Sequence, residues 1–94
     1  MEIKDNSFSR QFEINTTEGI LTVEYSLQER KIFLTRINTP ENFDNEALID
    51  EILKDILLMV EEKKWKVVPT YPRIASFFRK NPSYKNLLPP GIRI

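Results

Sequence analysis

The hydrophobic period of this chain changes once, from two to 3.6, and that switch limits the folds open to it. Leu21, Val23, Tyr25 and Leu27 alternate with Thr22, Glu24, Ser26 and Gln28, the pattern of a strand with one face buried. Leu48, Ile49, Ile52, Leu53, Ile56, Leu57 and Val60 then recur at helical spacing, with Asp50, Glu51, Lys54, Asp55, Glu61 and Glu62 between them. This reads as one amphipathic helix of about five turns over 45–64. Asp44 is its expected N-cap, with Phe43 and Leu48 at the N′ and N4 positions of a hydrophobic staple.

Around these two anchors the remaining elements follow. Arg10 to Asn15 carries Phe12 and Ile14 on one face, and Asn15 to Gly19 supplies turn residues that fold it back as a hairpin. Polar Gln28 to Arg30 makes a second turn into Lys31–Asn38, so the connections predict a three-stranded antiparallel meander. After the long helix, Lys66 to Thr70 reads as a short buried strand that ends at Pro69, because proline removes a ladder donor. Pro72 fits the first position of a helix running to Lys80, with Ile74, Phe77 and Phe78 inward, and Pro82 stops it. The tail from Ser83 to Ile94 is expected to cover a sheet edge. The fold class is therefore α+β: a mixed sheet of three antiparallel strands plus a fourth, a long helix across one face and a short C-terminal helix. A helix between the third and fourth strands permits a parallel pair there, and the crevice beside such strand ends and a helix N-terminus is a common place for anions. The Pro40–Glu46 loop is the first candidate site.

Composition narrows the chemistry. With 94 residues, one domain spanning 1–94 is expected, with 1–9 and 89–94 as loosely ordered ends. His and Cys are both absent, which removes disulfides, thiol nucleophiles and metal sites built on those ligands; no metal is expected. The longest uninterrupted apolar run, Ile56 to Val60, is far too short to cross a bilayer. No basic-then-apolar leader opens the sequence, so the expected address is the cytoplasm and no membrane partner is expected.

Net charge is zero, but it is divided. Residues 1–62 hold all 14 acids and six bases, a balance of −8; residues 63–94 hold eight bases and no acid, +8. This pattern reads either as two parts that neutralise each other in the fold or as a basic surface for an anionic partner. Arg73, Arg79, Lys80 and Lys85, with Phe78 and Tyr84 among them, could in principle serve single-stranded RNA. The aromatics fall on the inward stripe of a short helix, however, so core packing is the favoured reading and nucleic acid the disfavoured one. Trp65, at the end of the long helix, reads as an anchor for that end.

The segment KVVPTYPRIASFFRKNPSYKNLL, Lys66 to Leu88, resembles the C-terminal part of the small single-domain N-acetyltransferase-like proteins of the GNAT superfamily, which reads close to KVVPLCPFVAAYIRRHPEYKDLL. LTRINTPENF, Leu34 to Phe43, is similar to the same family's third-strand segment, so the likeness covers roughly 10–88. The resemblance implies an acetyl-coenzyme A site, with the pantetheine arm between splayed third and fourth strands and the pyrophosphate on the loop before the long helix. By alignment or inference the cofactor-binding positions are Asn38, Asn45, Glu46, Ala47 and Leu48, with Arg79 and Lys80 toward the 3′-phosphate. An amine would be the acetyl acceptor.

The same loop departs from the family's R-G-x-G-x-G/A pattern: Asp44, Asn45, Glu46, Ala47, Leu48 and Ile49 stand there, and no glycine occurs between Gly19 and Gly91. Glycines in that pattern let consecutive N–H groups close on a diphosphate. Acidic Glu41, Asp44 and Glu46 repel it instead, so acetyl-coenzyme A is expected to bind weakly or not at all. The family's strand histidine is Arg36 here and its reactive cysteine is Tyr71. Tyr71 is the catalytic candidate, as a general acid toward a departing thiolate, weighed against a structural tyrosine in the core. Glu13 and Glu24 could take a proton from an amine through water, weighed against solvated surface carboxylates. The residues leave two functions open: acetyl transfer to an amine, or a non-catalytic module that uses the crevice or the basic C-terminal surface for a protein or anionic ligand.

Overall fold

The computed structural model describes residues 1–94. Five strands, β1 (Lys4–Asn6), β2 (Gln11–Thr16), β3 (Gly19–Gln28), β4 (Lys31–Asn38) and β5 (Lys66–Pro69), form one sheet in sequence order. The first three pairings are antiparallel, and β4 pairs β5 in parallel. The parallel pair requires a crossover, which α1 (Glu46–Glu62) supplies; α2 (Pro72–Lys80) follows β5 and a 3₁₀ turn (Pro82–Leu87) follows α2. The meander therefore has four strands, not three. Within residues 1–9, which the sequence suggests as a loosely ordered end, Lys4–Asn6 form β1, three residues long and placed by its partners.

Those partners are specific. Asp5 lies opposite Phe12, and the Tyr25 hydroxyl donates to Asp5 Oδ1 at 2.5 Å across β2. Phe12 and Tyr25 pack with ring centroids 4.7 Å apart.

One face of the sheet carries the core. Phe12, Ile14, Leu21, Val23, Tyr25, Ile32, Leu34, Ile37 and Val67 are buried, together with the α1 stripe Ile49, Ile52, Leu53, Ile56, Leu57 and Val60. Ile74, Phe77 and Phe78 of α2 join the same cluster, as does Leu87 from the 3₁₀ turn. The alternation in β3 fails at its end, where Leu27 is 49% exposed beside the last turn of α1. The opposite face is polar over β2 and most of β3, with Gln11, Glu13, Thr22, Glu24 and Ser26, and carries Phe33 of β4 beside Val68 of β5 before Asn38. The tail ties back to the edge strand through Lys66 Nζ, which donates to the Asn86 carbonyl at 2.9 Å.

The helix start is one residue later than expected. Asn45, not Asp44, is the N-cap, and its Oδ1 accepts from the Leu48 N–H at 3.1 Å. At the other end Lys64 takes the left-handed conformation, φ 60°, and the Lys64 and Trp65 N–H groups return to the Glu61 and Val60 carbonyls. This is a Schellman closure without the usual glycine.

Gly19 opens β3 at φ 142°, and a Cβ built there would lie 3.1 Å from Pro40 Cβ. Both conformation and space oppose a side chain, so Gly19→Ala should lower unfolding free energy by about 1–3 kcal/mol in denaturant titration. Burial, then hydrogen bonding to Asp5, pushes the Tyr25 phenol up to about 12. The unfolded phenol titrates near 10, so the stability contributed by this contact is intact below that pH and is lost as pH rises through the folded value. Ultraviolet titration should show one tyrosine ionising near pH 12, and Asp5→Asn should bring it down.

Candidate functional site

Two of the strands part company in mid-sheet. β5 pairs only with Lys31 to Leu34 of β4, and the last tie is the Thr70 N–H to the Leu34 carbonyl at 3.2 Å. At that point β4 carries a bulge: Glu24 lies opposite Arg36 and Tyr25 opposite Leu34, which leaves Thr35 without a partner on β3. A bulge bends its strand and increases local twist. Thr35–Asn38 therefore continue beside β3 alone, and their other edge has no strand neighbour.

Both helices begin beyond the ends of these diverging strands, and Arg73 brings their N-termini side by side at the gap between the strands; the hollow at the α1 tip itself lies on the other side, walled by Phe43, Asp44, Asn45 and Leu48 and by the β2–β3 turn Asn15–Glu18. The loop 39–45 turns tightly at Pro40, where the Phe43 N–H donates to the Pro40 carbonyl at 3.1 Å with Asn42 at φ 65°; asparagine tolerates that position better than most residues. Phe43 packs on the core and directs the chain into α1.

The donors of the α1 terminus can be followed one by one. The Leu48 N–H is taken by Asn45 Oδ1 and the Glu46 N–H turns to the Asp44 carbonyl at 3.1 Å. The Asn45 and Ala47 N–H groups have no acceptor within the chain. Of the four cofactor-binding positions aligned here, two thus keep a free amide.

Arg73 was read from sequence only as one of several surface cations. It instead crosses from the first turn of α2 to α1, donating from Nε to Glu46 Oε1 at 2.8 Å and from Nη2 to Asp50 Oδ1 at 2.9 Å, with a longer contact to the Glu46 carbonyl. These are the ion pairs of the fold. The signal for them was present in the i, i+4 spacing of Glu46 and Asp50, but no sequence rule says which cation meets them. The neutralisation expected between the two charge blocks is realised at Arg73 alone.

The other candidates fall as follows. Tyr71 caps α2 with its backbone: its carbonyl accepts from the Ile74 and Ala75 N–H groups, both at 3.0 Å. Its ring packs against the core, while its hydroxyl makes no bond within the chain and is not buried. Asn38 ends β4 and donates to Thr22 Oγ1 at 3.0 Å and to Glu24 Oε2 at 2.5 Å. Glu13 accepts from Gln11 and Asn6, and those two hydrogen bonds hold its carboxyl below the ordinary range. Arg79 and Lys80 occupy the last turn of α2, about 9 Å or more along the axis from Arg73. There they complement the negative end of the helix and are not gathered with Asn45–Leu48.

The opening fits one part of the expected cofactor and not another. A free strand edge suits an extended chain bearing amides, because it offers backbone partners to such a chain as it would to another strand. The diphosphate cradle is poor: side chains stand on every residue from Asp44 to Ile49, one amide is already capped, and the Glu46 carboxylate is placed beside the helix tip. Arg73 matches the Glu46 charge, so the uncompensated acid beside the tip is Asp44; unit charges about 4 Å apart in water repel by about 1 kcal/mol, as much as an exposed helix N-terminus returns.

Residues 11–87 match the family model described as GCN5-related N-acetyl-transferase. The chain is also similar to a solution NMR structure of a GCN5-like putative N-acetyltransferase from Staphylococcus aureus, with TM-score 0.73 and 17% identity, over 98% of this chain and 90% of that one. At that identity the likeness speaks to the fold. No curated protein matches the chain.

Asn45→Ala should lower stability by about 1 kcal/mol, and Asn45→Gly by only a few tenths. If both losses are equal in thermal or denaturant unfolding, the Asn45 side chain is not the cap.

Proposed function

Because the chain belongs to the GCN5-related N-acetyltransferase family, we propose that it is an acetyl-coenzyme A-dependent N-acetyltransferase-like domain whose hold on the cofactor is weak. The observation that carries this reading is the departure of β4 from β5 at Thr35, which leaves a free strand edge beside the N-terminus of α1. Thr35–Asn38 hold the pantetheine arm, and the Asn45 and Ala47 amides are what remains for the diphosphate.

Acetyl-coenzyme A, when bound, supplies a thioester carbonyl to an attacking amine. The chain has no Cys, so the reading is direct transfer without an acyl-cysteine. Tyr71, with a solvent-reaching hydroxyl just beyond β5, holds the proton for the departing thiolate. Glu24, beside Asn38 on the polar sheet face, takes the amine proton through water.

A second reading rests on Arg73. With its guanidinium on Glu46 and Asp50, the mouth of the opening is satisfied internally, as suits a non-catalytic module that retains the crevice for another protein or ligand.

The test compares acetyl-coenzyme A with acetylpantetheine, which lacks the nucleotide and the diphosphate, by amide shifts at low salt. Both should bind in the millimolar range, within about tenfold of each other, with shifts at Thr35–Asn38. A micromolar constant for the full cofactor alone would overturn the weak hold. Silence of both ligands up to about 10 mM would leave the module reading. Asp44→Arg with Asn45→Gly and Ala47→Gly should tighten acetyl-coenzyme A by about tenfold while leaving acetylpantetheine unchanged.

A further inference from the structure

The charge division and three exposed apolar side chains are not used by the crevice. Leu58 is 58% exposed at the centre of the outer face of α1. Glu51, Asp55 and Glu62 share that stripe by their spacing, and none of them has an ion-pair partner in the fold. Lys54 lies on the same stripe, one turn before Leu58, so the face is acidic on balance, three carboxylates to one cation around one apolar residue.

The complement lies at the end of the sheet away from the α1 N-terminus. Leu27, 49% exposed, stands between two small hollows. One runs to Met59, Lys63 and Trp65 at the end of α1. The other is bounded by Ser7 and Arg10, on the turn that holds Phe8 96% exposed. The Ser9 N–H to Asn6 Oδ1, 3.1 Å, and Arg10 at φ 56° fix that turn, so Phe8 is presented rather than loose. Arg10, Arg30, Lys31 and Lys63 rim this patch, exposed and without carboxylate partners, and outnumber its two acids, Asp5 in the first hollow and Glu29 on the β3–β4 turn. Lys63 Nζ lies over the Trp65 ring, 5.3 Å from its centroid.

We propose that two copies of this chain associate about a two-fold axis, the acidic face around Leu58 of each seated on the cation-rimmed apolar patch around Leu27 and Phe8 of the other. Both surfaces adjoin the C-terminal half of α1, so one axis engages both and the contact is made twice, which closes the assembly. Charge complementarity selects this occupant: an acidic surface with an apolar centre is what a basic rim around an apolar floor accepts. Zero net charge means the copies do not repel at long range. A standard interface needs about 800 Å² from each partner, a modest share of the 6150 Å² surface.

Sedimentation and light scattering at about 0.5 mM protein and low salt should give twice the 11.1 kDa chain mass, falling toward the monomer at about 0.5 M salt as screening shortens. Leu58→Gln should weaken association about tenfold with an unchanged melting curve. Glu51→Lys with Asp55→Lys gives one charge-reversed chain, and Arg10→Glu with Arg30→Glu gives another. Each should be monomeric alone, and the two mixed should form a one-to-one dimer. A monomer in low salt, open-ended assemblies, or a dimer indifferent to Leu58→Gln and to the reversals would overturn the proposal.

Discussion

Four residues of parallel pairing determine where everything else in this fold can stand. β5 holds to β4 only from Lys31 to Leu34. The ladder runs one bond past Pro69, to the Thr70 N–H on the Leu34 carbonyl, because the N–H that Pro69 lacks would face the outer edge rather than β4. On the other flank, Thr35 bulges out of register with β3. With one edge released and the other bent, the upper part of β4 cannot keep β5 as a neighbour. The opening, the convergence of two helix N-termini and the free edge of Thr35–Asn38 all follow from that single divergence.

The second constraint is the scarcity of glycine. Only Gly19 and Gly91 occur, and left-handed positions at turns are otherwise filled by Arg10, Glu29, Asn42 and Lys64. Each carries a side chain over backbone that glycine would leave bare. Around Asp44–Ile49 this matters chemically. A loop that could close on a diphosphate through consecutive amides instead caps its own helix through Asn45 and sends Glu46 to Arg73. Stability of the helix start and affinity for an anion draw on the same few N–H groups, and here the helix start and its loop have taken two of the four, those of Glu46 and Leu48.

Electrostatics is arranged by location rather than by total. Arg73 is the one residue through which the basic C-terminal part meets the acidic N-terminal part in an ion pair, and it does so across the mouth of the opening. The other charges stay at the surface without ion-pair partners, with acids in excess along the outside of α1 and bases on α2 and the turn after it.

Local pattern in the chain was enough to write most of the fold. The period-two run at Leu21–Tyr25, the helical stripe from Ile49 to Val60, and the stops at Pro69, Pro72 and Pro82 depend on neighbours a few residues away, so they are legible without coordinates. The GNAT likeness of 66–88 rested on the same local residues. Beyond reach were β1, whose Asp5 and Asn6 find Tyr25 and Glu13 far along the chain, the Thr35 bulge, and the choice of Arg73 among eight cations as partner of Glu46 and Asp50. Each is a contact between residues distant in sequence, fixed only when the sheet register brings them together. The cap shifted from Asp44 to Asn45 for a like reason: both residue types cap helices, and the Pro40–Phe43 turn decides which of them meets the Leu48 N–H. Residue types thus set which elements exist, whereas register and turn geometry, which no local propensity encodes, set which amides stay free and which charges meet.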